Sequence, residues 1–184
     1  MSDPDTPSQD APELIDPIAE LPGHDLTESR VAIFGHPIHA MSVAFPVALT
    51  FCGFGADVMY WITGEAFWAR AALWAIGTGF IFGMFSGFSG TAEILFVPGI
   101  RARAPAWTHF IIAVTALALM GANWGHRLSG FESAVLPWGI TLSALSVLVV
   151  IVTGWHGGKL VFDYNLGTSR GKSTSKGSRS QSGN

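Results

Sequence analysis

Four apolar runs, at about 37–62, 66–88, 105–124 and 135–155, follow one another along this chain. About 20 helical residues cross roughly 30 Å of hydrocarbon, so each run is long enough to span a bilayer. Lipid offers a bare backbone no hydrogen bonds, and only helices or closed barrels satisfy themselves there. These runs lack the alternation of a barrel strand. The pattern therefore predicts an all-α integral membrane protein, a four-helix bundle running up, down, up and down.

Charge supports the same reading. Only 12% of the 184 residues are charged, about half the share usual in a soluble domain. Eight of the thirteen acids precede Arg30, and four of the ten bases (Arg170, Lys172, Lys176, Arg179) lie beyond the last run. The net charge of −3 thus describes two opposed tails and gives no ground for a nucleic-acid partner. Three regions follow: an acidic, Pro-rich tail over 1–30, a four-span domain over 31–167, and a basic Ser/Gly-rich tail over 168–184. Both tails are expected to be disordered. Cys52 is the single cysteine, which leaves no disulfide framework. The first thirty residues do not have the pattern of a cleavable signal.

An even number of spans puts both termini on one side. Arg30, Arg101, Arg103, Lys159 and the four tail bases share that side, against Arg70 and Arg127 on the other. The positive-inside rule predicts cytoplasmic termini.

Polar residues inside the spans sort by depth. His36 and His39 open the first run, His109 lies one turn into the third, and His156 closes the fourth, all at the cytoplasmic end. At the opposite end stand Asp57 in the first run and Asn123 and Arg127 in the third. His39 to Asp57 and His109 to Arg127 are each eighteen residues apart, which is five helical turns, so each pair shares a face. Polar residues in membrane bundles turn inward. The expectation is that His39 faces His109 at one end, while Asp57, Asn123 and Arg127 form a structural polar clamp at the other. In the second run Gly79, Gly83 and Gly87 step by four and leave a flat ridge. Such a ridge serves close helix packing, or a groove in which a flat macrocycle lies. The serines Ser42, Ser86, Ser89, Ser143 and Ser146 read as helix-contact hydroxyls. No nucleophile–base pair, phosphate loop or carboxylate dyad is visible, so the chain does not read as an enzyme by itself.

"GHPIHAMSVAFPVA" at the first run and "GWHGGKLVFDYNLG" at the fourth resemble a bacterial family of small four-helix membrane proteins catalogued as domain of unknown function 2231. His109, Asn123 and Arg127 fall where that family's third helix carries the same residue types. The resemblance covers about 35–167. Ala40 stands where the family often has a second proline, Phe162 where it has tyrosine, and His156 in a slot usually not histidine. It implies a bacterial inner-membrane protein, and the family's likeness to four-helix b-type cytochromes implies electron transfer.

Three readings stay open. In the first, the chain holds haem b with His39 and His109 as axial ligands and His36 and His156 as alternates. Arg101, Arg103 and Lys159 then sit near the propionates, and Gly83 and Gly87 make the wall. Quinone or a periplasmic or membrane redox partner would exchange electrons with it. In the second, His36, His39, His109 and Glu93 hold a non-haem metal. In the third, the chain binds no cofactor and is a scaffold or accessory subunit, its glycine ridge packing against other membrane subunits or a second copy.

Overall fold

The computed structural model describes residues 29, 31–34 and 36–163. The two tails expected to be disordered lie outside these residues, apart from Ser29. Four long helices are present, as the apolar runs require. A two-residue hairpin pairs Ala32 with Pro37 and Ile33 with His36. It leads into α1 (Ile38–Ser42), and α2 (Ala44–Thr63) continues from it through Val43. Pro46, with no N–H to donate to Ser42, falls where the two helices join. Gly64, at φ 70°, ends α2 with its N–H 2.7 Å from the carbonyl oxygen of Tyr60. That left-handed conformation suits glycine.

After the turn come α3 (Ala66–Phe96), the short α4 (Pro98–Arg101) and α5 (Ala104–Arg127). The last helix, α6 (Ile140–Phe162), is entered through an irregular turn over Val135–Gly139 in which Leu136 is extended. Hydropathy alone ended the second run at residue 88, but α3 continues two turns further and carries Glu93 on its last part. The helical hydrogen-bond ladder does not stop where Ser89, Gly90 and Thr91 lower the hydropathy. Pro98 and the extended Val97 end it instead.

α2 packs beside α3 and α6, and α5 packs beside the same two, so α2 and α5 are diagonal. This is the expected up-down-up-down bundle. Small buried residues such as Ala56, Ala69, Ala72, Ala106 and Ala116 let the helices approach. Large apolar side chains including Trp61, Phe67, Trp74, Trp138 and Trp155 face outward, as they do in a protein whose solvent is lipid. The glycine ridge of α3 is used inside the chain. A Cβ at Gly79 would meet Leu49 and Met120 at 3.1 Å, and one at Gly83 would meet Leu117 at 2.5 Å.

Candidate functional site

Two polar clusters occupy opposite ends of the bundle. At one end α2 contributes Asp57, α5 contributes Asn123 and Arg127, and α6 contributes Ser143. Arg127 donates from Nη1 and Nη2 to the two carboxylate oxygens of Asp57 at 2.8 and 2.7 Å. Its Nε donates to Asn123 Oδ1 at 2.9 Å, one helical turn away. Asn123 Nδ2 donates to Ser143 Oγ at 2.8 Å, and that hydroxyl donates to Asp57 Oδ2 at 2.5 Å. All four side chains are buried. Every charge is paired and each lobe of the network is hydrogen-bonded, the condition under which ions are tolerated in an apolar interior. Ser143 completes the ring, where the sequence suggested only a helix-contact hydroxyl.

At the other end His39, on α1, and His109, on α5, stand with ring centroids 6.3 Å apart and ring planes at 87°. His39 Nδ1 lies 2.8 Å from the backbone oxygen of Ser86 on α3. A carbonyl only accepts, so Nδ1 is the donor in this contact. Room for this ring comes from Gly90. A Cβ there would lie 2.7 Å from His39 Nδ1 and 2.8 Å from Cε1. Gly157 on α6 does the same for His109, with a Cβ position 3.1 Å from its Cε1. His109 Nδ1 is sealed from solvent and has no hydrogen-bond partner among the described residues.

The two imidazoles line a cavity of about 530 Å³, walled by Phe80, Met84, Phe88, Phe110 and Leu117, with Glu93 at its edge. Its size and mostly apolar wall, with a few polar groups, are those of a small-molecule or cofactor site. Two imidazoles from separate helices at one apolar cavity are a donor set that could hold a metal centre such as a haem iron.

The remaining residues marked out from the sequence fall into place unevenly. Gly87 lines the cavity, but Gly83 does not, because Leu117 fills the space above it. His36 is exposed on the hairpin, its Nδ1 3.0 Å from the backbone oxygen of Phe34, and is not brought to the pair. His156 lies 3.1 Å from the Val152 backbone oxygen on its own helix and does not line the cavity. Arg101 is exposed and Arg103 donates to the Gly99 carbonyl. Neither lines the cavity, although Ile100 beside Arg101 does. Among the described residues no three His, Cys, Asp or Glu side chains come together as a metal site, so the set of His36, His39, His109 and Glu93 is not assembled. The hairpin holds His36 away from the other three.

The family comparison then decides the membership. Residues 35–170 match the family model described as a predicted membrane protein (DUF2231). The chain belongs to this family. No curated protein and no solved structure matches it. In this DUF2231 protein the matched region contains both polar clusters and the whole cavity. What sequence reasoning missed there is the supporting frame. The Ser86 carbonyl is a backbone atom with no residue-type signature, and Gly90 continues the four-step register only loosely, three residues after Gly87. Gly157 carried a signal in the "HGG" of the fourth run, but nothing in one dimension tied it to His109.

Proposed function

We propose that this DUF2231 protein is a membrane electron carrier that holds a b-type haem between His39 and His109. The observation that carries the reading is the facing imidazole pair, 6.3 Å between centroids, at one end of an apolar cavity. The haem, when bound, supplies one-electron redox chemistry. His39 offers its Nε2 lone pair, and its proton on Nδ1 is held by the Ser86 carbonyl, which fixes the tautomer and ring orientation. His109 supplies the second imidazole. Gly90 and Gly157 let both rings seat against the backbone of α3 and α6. Phe80, Phe88 and Phe110 offer apolar surface to a macrocycle. Exposed Arg101, at the same end of the bundle, would add positive potential for an anionic group of the cofactor.

In this reading the histidine end and both termini are cytoplasmic, since the bases of the sequence gather on that side. The membrane is the bacterial inner membrane, and a quinone or a protein redox partner exchanges the electron. The use of Gly79 and Gly83 by Leu49, Met120 and Leu117 of the same chain argues against the ridge as a surface for an accessory role.

The test is a reduced-minus-oxidised absorption spectrum of protein purified in mild detergent from haem-replete cells, with a pyridine haemochrome assay. A low-spin b-type spectrum at near one haem per chain is expected. A flat spectrum would overturn the reading.

A further inference from the structure

Glu93 is buried, at 7% relative exposure, near the end of α3, and it lines the cavity beside the histidine pair. An acid in such a place is costly unless it is hydrogen-bonded. Among the described residues its one hydrogen-bond partner is Ser29, whose hydroxyl donates to Oε1 across 64 positions of sequence. Ser29 lies three positions before Ala32, the first paired residue of the hairpin that leads to His39.

That hairpin needs an anchor. Two strands of two residues are not stable alone in water, and the five residues of α1 are too few to hold a helix without tertiary support. Inside the hairpin the ties are local: the pairs Ala32–Pro37 and Ile33–His36, and the Ile38 N–H on the Val31 oxygen at 3.0 Å. Among the described residues two polar side-chain ties bind the segment to the bundle, and both land on α3. His39 Nδ1 donates to the carbonyl of Ser86, and Ser29 donates to Glu93. Ser86, Gly90 and Glu93 are spaced by four and three residues, which places them on one stripe of the helix. The segment is thus pinned at both ends of that stripe, with the His39 ring seated on Gly90 between the pins.

We infer that Glu93 is a positioning residue: by holding Ser29 it pins the hairpin against α3 and so sets where His39 stands relative to His109. Loss of either partner leaves the His39 imidazole as the polar side-chain tie to α3 among the described residues, beside the packing of α1 on that helix.

The test uses the full-length protein in nanodiscs with Glu93→Ala, Glu93→Gln and Ser29→Ala. Hydrogen exchange in the haem-free protein reads the hairpin directly, through the amide of Ile38 and the peptide around it. Glu93→Ala and Ser29→Ala are expected to speed that exchange by about tenfold or more, with α5 and α6 unchanged. Glu93→Gln keeps an acceptor oxygen and is expected to stay near wild type. Equal protection in all four proteins would overturn the inference. So would a loosening by Glu93→Ala that Ser29→Ala does not share.

A second arm rests on the haem reading. The low-spin electron paramagnetic resonance signal, which reports the mutual orientation of two axial imidazoles, is expected to broaden or shift in Glu93→Ala and to return in Glu93→Gln. An unchanged signal in Glu93→Ala would overturn the link to His39. Absence of haem from the wild type would overturn the proposed function, leaving the exchange arm to judge the latch.

Discussion

Arg127 and Asp57, 70 positions apart, form a two-pronged ion pair of 2.7 and 2.8 Å with both side chains fully buried. It ties the two diagonal helices α2 and α5, which otherwise meet little. Asn123 and Ser143 fill the remaining hydrogen-bonding positions, so α6 joins the same knot.

Breaking one side of this pair leaves a charge stranded in an apolar interior. Arg127→Ala is expected to destabilise the bundle by about 3–5 kcal/mol, read as a lower thermal midpoint in detergent. Replacing both partners together, Asp57→Leu with Arg127→Met, should cost much less, since no unpaired ion remains. A single mutant as stable as wild type would show that the pair does not carry the stability assigned to it.

The two candidate ligands are separable from the other histidines. His39→Ala and His109→Ala should each abolish the low-spin haem spectrum, whereas His36→Ala and His156→Ala should retain it. His36 is held at the Phe34 carbonyl and His156 at the Val152 carbonyl, and neither lines the cavity. Loss of the spectrum in His36→Ala with His39→Ala unaffected would reverse the assignment.

The glycine notches give a steric test. Alanine at Gly90 would bring a methyl within 2.7 Å of the His39 ring, displacing it, while alanine at Gly157 meets His109 at 3.1 Å and asks for a smaller shift. Gly90→Ala should therefore weaken haem binding at least tenfold, with helical content by circular dichroism unchanged, and Gly157→Ala should weaken it less. The reverse order would mean that the notches do not set the rings.

Gly83 is expected to respond through packing alone. A methyl there collides with Leu117 at 2.5 Å, and overpacking a core of this kind costs about 1–3 kcal/mol. Leu117→Ala in the same chain should recover part of that loss in a double-mutant thermal unfolding series. If the two losses simply add, Leu117 is not what fills the ridge.

The membrane architecture was open to a linear reading because it depends on quantities that add along the chain. Hydropathy summed over twenty residues shows a span, and the five-turn spacing of His39 to Asp57 and His109 to Arg127 shows a shared face. The four-step glycines likewise showed a flat ridge, but not that Leu117 would lie over both Gly83 and Gly87, with Gly87 at the cavity wall. His36 and His39, three apart, read alike in sequence. The hairpin separates them, because its register turns His36 outward just before α1 begins.

The sequence by itself thus determined the four spans, their alternating course and which residues had to be hidden from lipid. Those follow from the cost of placing polar groups in hydrocarbon, a local property of each segment. Only the tertiary structure decided that His39 Nδ1 is held by the Ser86 carbonyl, that Ser143 closes the Asp57 network, and that Ser29 reaches Glu93. These are contacts between residues 47 to 86 positions apart or on different helices, and they depend on helix rotation and approach. Rotation and approach are set by how whole surfaces pack, and no short window of residues contains that.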